Sequence, residues 1–123
     1  MRLEIEPLSG ALGAEIRGVD LSRPLDETTV AEIRQALLNH LVIFFRDQDI
    51  TPAQHLAFAR YFGETVDYPL LPPLEGHPGI VEVVKLETET VNFGGLWHSD
   101  MAYSECPPLG SILCARELPP RGG

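Results

Sequence analysis

Four prolines, Pro69, Pro72, Pro73 and Pro78, fall between Thr65 and Gly79 and divide the chain into stretches of different local character. Proline removes a backbone donor and fixes φ, so neither a helix nor a central strand can run through such a segment. A long irregular loop is expected there, and loops of that length are usually functional or mobile. Before it, helical patterns alternate with short apolar runs. After it, only strand-like runs remain, separated by Gly and Pro.

In the front stretch, LEIE (residues 3–6) alternates apolar and polar as a short strand does, and GAEIRGVDL reads as a second, Gly-bounded strand. LDETTVAEIRQALLNH predicts a helix capped by Asp26 or by Thr29, the latter forming a capping box with Glu32. Val30, Ile33 and Leu37 sit on its inner face, and Asn39 and His40 mark its end. LVIFF (residues 41–45) is a continuous apolar run of the kind that forms a strand buried on both faces. A second helix follows, with Thr51 as N-cap, Pro52 at the first helical position and Gly63 past the end. Leu56, Ala59 and Phe62 are its expected inner face.

In the rear stretch, IVEVVKL, LWHSDMAY and GSILCA read as three strands, the second preceded by the polar, Gly-containing loop that ends in NFGG. A mixed chain of this order predicts an α+β fold or a β-sandwich with helical decoration. The second of these strands carries the chemistry. Side chains alternate along a strand, so His98 and Asp100 project from one side with Ser99 opposite. An imidazole nitrogen and a carboxylate oxygen there can share one divalent ion, a donor pair that suits Fe(II), Mn(II), Co(II) or Zn(II) better than Ca(II) or Mg(II). A structural zinc site wants four ligands, whereas a facial triad needs only one more His. The same spacing also fits an exposed His–Asp pair that hydrogen-bonds without metal.

Charge narrows the partners. Eighteen acidic and nine basic residues give a net charge of −9, and the basic residues stand singly, with no stripe to neutralise phosphates. Nucleic acid and anionic membrane are therefore excluded as expected partners. No window approaches the ~20 apolar residues of a membrane span, and the first ten residues lack the apolar core of a signal peptide. A soluble cytoplasmic protein is expected. Cys106 and Cys114 form neither a CxxC motif nor a disulfide framework and are expected to be reduced. ARELPPRGG ends the sequence in a Pro/Gly loop, so the chain is expected to be the front part of something longer.

FGGLWHSDMAYSECPPLGSILCARELPPRGG resembles the TauD/TfdA family of Fe(II)- and 2-oxoglutarate-dependent dioxygenases. The matching elements are Trp97-His98-Ser99-Asp100, Tyr103, Pro107-Pro108, Gly110 to Ala115 and Gly122-Gly123. Upstream, GAEIRGVDLSRPL, VIFFRDQDIT and FARYFGE are similar to the family's earlier elements, in the same order. The resemblance implies a double-stranded β-helix, a jelly roll with N-terminal helices, incomplete in this chain. Residues 1–123 would be the N-terminal part of a single TauD/TfdA-type domain.

The resemblance also implies that His98 and Asp100 are the first two iron ligands. The third His and the Arg and Thr that bind 2-oxoglutarate would lie beyond Gly123, because His40, His55 and His77 match no ligand motif. The implied reaction hydroxylates a small organic acid with O2 while 2-oxoglutarate is decarboxylated to succinate and CO2. Tyr68, Leu71 and Gly94 stand where the taurine-oxidising branch carries polar substrate contacts, and Met101 follows the Asp ligand where the family touches substrate. A less polar acid than taurine is implied: an alkyl sulfate, an aryloxy acid or another organic acid. Trp97 and Tyr103 would exclude water or serve as core aromatics. A truncated, non-catalytic binding module is the alternative, and a generic zinc-binding β domain is a weaker one. Homo-oligomerisation is compatible with either.

Overall fold

The structure, a computed structural model, describes residues 2–122. Two units follow one another, the first ending at Phe62 and the second beginning at Gly63. The first is built on a small sheet. Strand β1 (Glu4–Pro7) pairs antiparallel with β2 (Ala14–Arg17), bringing Ile5 opposite Ile16 and Glu6 opposite Glu15. The connection closes with the Leu8 N–H donating to the Gly13 carbonyl at 2.9 Å. Helix α1 (Glu27–His40) then carries the chain to β3 (Ile43–Phe44), which pairs parallel to β2, so the order is β1-β2-β3.

Asp26 caps α1, its carboxylate accepting from the Thr29 N–H at 2.8 Å, so the alternative cap at Thr29 is not the one formed. Ile33 and Ala36 are the buried residues of α1, with Val30 and Leu37 half-covered on the same side. Leu41 ends the helix at φ 70°, its N–H donating to the Leu37 carbonyl at 2.8 Å. Helix α2 (Pro52–Arg60) begins with a complete capping box. The Thr51 hydroxyl accepts from the Gln54 N–H at 3.3 Å, and the Gln54 side chain accepts from the Thr51 N–H at 2.8 Å. The Gln54 amide also donates to the Ser22 carbonyl, tying the helix start to the loop after β2.

Two sequence expectations need correction in this unit. LVIFF is not a strand buried on both faces: only Ile43 and Phe44 pair, and Leu41, Val42 and Phe44 are exposed. The cause is position, since β3 is an edge of the sheet. The exposed Phe44 ring is covered in part by the Arg46 guanidinium, 5.5 Å from its centre. In α2 the buried residues are Leu56 and Phe58 rather than Leu56, Ala59 and Phe62. Phe58 meets the edges of Phe45 and Phe62 with ring centres 5.6 and 5.3 Å away.

Glu15 is buried within β2, and its carboxylate is satisfied by two guanidinium groups, accepting from Arg17 Nε at 2.8 Å and Arg46 Nε at 3.1 Å. The Arg17 bond first, then the Arg46 bond, hold its carboxyl below the usual glutamate range, with burial opposing them. A lowered folded-state pKa means that the contribution is complete above the unfolded value of about 4.3 and is lost as pH falls through the folded value. Comparing urea unfolding of the wild type with Glu15→Gln should therefore show a gap that is constant at neutral pH and closes below about pH 4. A gap independent of pH would show that the two arginines do not act on the ionised carboxylate.

The second unit differs in kind. IVEVVKL, LWHSDMAY and GSILCA do not form strands; among the described residues the sole pairing here is an isolated bridge between Leu74 and His77. A strand exists only as part of a ladder that satisfies its backbone groups, and these segments meet no partner strand among the described residues. None of the described residues in this unit is buried. No helix of the described residues is long and apolar enough to cross a membrane.

Candidate functional site

The turn that precedes the Trp-His-Ser-Asp segment is set by its glycines. The Gly95 N–H donates to the Asn92 carbonyl at 3.2 Å, closing Asn92–Gly95 into a tight turn. Gly94, at its third position, has φ 68°, the left-handed conformation that glycine adopts without steric cost. The Lys85 ammonium donates to the Asn92 side-chain oxygen and fastens this turn to the preceding segment.

His98 and Asp100 then come together, on a segment that is not part of a strand. The chain turns at Asp100–Tyr103, with the Ser104 N–H donating to the Met101 carbonyl at 3.1 Å. Met101 itself is at φ 51°, a left-handed conformation costing an L-residue about 1–2 kcal/mol. The Asp100 carboxylate, just before that bend, meets the imidazole, with His98 Nε2 and Asp100 Oδ1 3.0 Å apart. On the ring's other side, Nδ1 lies 2.6 Å from the Leu96 carbonyl. A carbonyl can only accept, so Nδ1 carries a proton and Nε2 is the nitrogen left to face Asp100. The Leu96 carbonyl is the chief cause raising the His98 pKa; partial burial opposes it, and the Asp100 carboxylate adds to it by charge and hydrogen bond.

The pair suits a divalent metal. Two donors at about 2.1 Å from one ion and at right angles lie about 3.0 Å apart, the separation observed between Nε2 and Oδ1. The Nδ1–H to Leu96 carbonyl bond fixes the tautomer, and is of the kind that orients imidazoles which bind metal elsewhere. His98 and Asp100 thus have the chemistry of two adjacent ligands of a first-row ion. Among the described residues no group of three or more His, Cys, Asp or Glu side chains could hold a metal ion. His40 is the last residue of α1, His55 lies within α2, and His77 sits in a turn with Nδ1 3.1 Å from the Glu75 carbonyl. Cys106 and Cys114 are free thiols.

Of the other residues singled out in the sequence, Gly94 lies near the ring: a Cβ built on it would lie 3.2 Å from His98 Cε1 and 3.7 Å from Nε2. Met101 is half-buried next to Asp100, while Tyr68 and Leu71 are half-buried in the proline-rich loop and take no part in the contacts that define the pair. Among the described residues Trp97 and Tyr103 are not core aromatics: Trp97 is fully exposed and Tyr103 two-thirds exposed. No layer among the described residues packs on them. Sequence reasoning missed the Leu96 carbonyl, which no residue-type pattern reveals, and missed the role of the NFGG turn beside the ring, for which the paired glycines were the available signal.

The model of the taurine catabolism dioxygenase TauD, TfdA family matches residues 4–123. The chain belongs to that family. It is 37% identical, over its whole length, to an alpha-ketoglutarate-dependent sulfate ester dioxygenase of Pseudomonas putida, covering 40% of that protein. It is likewise 37% identical, over 99% of its length, to an alkylsulfatase of Acinetobacter baylyi, covering 38% of it. Among solved structures, a taurine dioxygenase from Burkholderia xenovorans superposes with a TM-score of 0.58 at 49% identity, over 62% of this chain and 28% of the other. The chain thus spans about two-fifths of the length of the curated relatives it matches.

Proposed function

We propose that the protein containing this chain is an Fe(II)- and 2-oxoglutarate-dependent dioxygenase that hydroxylates a small organic acid, with His98 and Asp100 as two of its iron ligands. The observation that carries this is the 3.0 Å approach of His98 Nε2 to Asp100 Oδ1 on the Trp-His-Ser-Asp segment of a family member. Iron bound there would supply the activation of O2 that couples decarboxylation of 2-oxoglutarate to oxidation of an unreactive C–H bond. The chain's own part is positional. Leu96 holds the imidazole tautomer, and Asp100 supplies the negative charge and a second donor beside it. The family's jelly roll would be completed by residues outside this chain, as would the third His and the 2-oxoglutarate contacts.

Alkyl sulfates are the substrate class we favour. Tyr68, Leu71 and Gly94 differ from the residues that make the polar contacts in the taurine-oxidising branch, and both curated relatives named above act on sulfate esters or alkyl sulfates by their names. With the full-length protein, Fe(II), 2-oxoglutarate and O2, succinate formation should rise with a medium-chain alkyl sulfate and remain near background with taurine. Equal or greater turnover of taurine would refute the substrate assignment, and no succinate with any organic acid would refute the reaction.

A further inference from the structure

The proline-rich loop is folded by its own backbone at its far end only. The Leu74 N–H donates to the Ile80 carbonyl at 2.7 Å and the His77 N–H to the Leu74 carbonyl at 2.9 Å. The Ile80 N–H in turn donates to the His77 carbonyl at 3.2 Å. From Tyr68 to Pro73 no backbone hydrogen bond forms among the described residues, and Pro69, Pro72 and Pro73 have no N–H to offer. Their fixed φ angles make this stretch stiff all the same, so its course is set by where its two ends are held. One end is the turn that starts at Leu74. The other is held by a side chain: the Asp67 carboxylate accepts from the Gly79 N–H at 2.9 Å, across twelve positions of sequence. Among the described residues this is the one hydrogen bond that ties the start of the loop to its far turn.

We propose that Asp67 is a positioning residue for substrate: its carboxylate latches the loop shut and so fixes the course of Tyr68 and Leu71, the two half-buried residues of the stiff stretch. This rests on the substrate assignment made above, in which Tyr68 and Leu71 stand at substrate-contacting positions, and it gives Asp67 no contact with substrate itself. Because the latch is a hydrogen bond to a backbone N–H, a neutral acceptor of the same shape should serve in its place. Glu64 provides the contrast, an exposed carboxylate that accepts no hydrogen bond among the described residues.

The test uses the full-length protein, with deuterium uptake of residues 67–80 as the structural reading and steady-state kinetics on a medium-chain alkyl sulfate as the functional one. Asp67→Ala should raise both the uptake rate and KM about 3- to 10-fold, what one such hydrogen bond is worth. Its kcat should be unchanged, the pattern of lost uniform binding. Asp67→Asn keeps an acceptor oxygen and should stay near the wild type on both readings, as should Glu64→Ala. Faster uptake with raised KM in Asp67→Ala, both restored in Asp67→Asn, supports the proposal. Unchanged uptake in Asp67→Ala would mean that there is no latch, and faster uptake at unchanged KM that the latch does not position substrate. Either overturns the proposal and leaves the dioxygenase reading standing, as does an Asp67→Asn protein no better than Asp67→Ala. A wild type that turns over no alkyl sulfate overturns the substrate assignment and the proposal together.

Discussion

The His98→Ala protein should lose metal binding and turnover together while keeping its fold. Removing an outer support of a metal-binding imidazole costs about 10- to 100-fold in affinity, so removing the donor nitrogen itself should cost more than about 100-fold. Succinate formation should fall to background. The fold should persist because the His98 side chain is half exposed and holds no buried group in place, and substitutions of that kind usually change stability by less than about 0.5 kcal/mol. Circular dichroism and urea unfolding check the second half of the expectation, and Fe(II) or Co(II) titration the first. Retained metal binding in a folded variant would remove His98 from the site.

Phe58→Ala should have the largest effect on stability. Phe58 is buried, and its ring meets the edges of Phe45, Tyr61 and Phe62 at 5.6, 6.5 and 5.3 Å between centres. Truncating such a ring removes its burial and leaves a cavity, a loss of about 3–5 kcal/mol. Domains of ordinary size are stable by only about 5–15 kcal/mol, so the urea midpoint should fall markedly. The cluster also joins α2 to the segment before α1, because the Tyr61 hydroxyl accepts from the Leu25 N–H at 3.0 Å. Phe58→Leu should recover much of the loss. A Phe58→Ala protein as stable as the wild type would mean that this cluster is not a packed core.

The two helices were legible because their ends are local events. Thr51, Pro52 and Gln54 together specify where α2 starts whatever surrounds it, and Asp26 does the same for α1. The inner face of α2 was less legible. Leu56 and Phe58 are two positions apart, about 200° around a helix, so α2 is covered from more than one side and a single apolar stripe misreads it. Strands are not local events. IVEVVKL and GSILCA have the composition of strands, but a ladder needs a second segment, and among the described residues they find none. The His98–Asp100 approach was expected from the alternation of a pleated strand, whereas the two side chains meet on a segment that is not in a strand.

The indole of Trp97, the chain's one tryptophan, stands bare in solvent and is the residue next to His98. It is therefore an intrinsic fluorophore one residue from the candidate site. Whatever comes to lie over that ring, whether substrate, a later segment of polypeptide or a second subunit, must strip its hydration and move its emission to the blue, so assembly around the centre can be followed optically without any label.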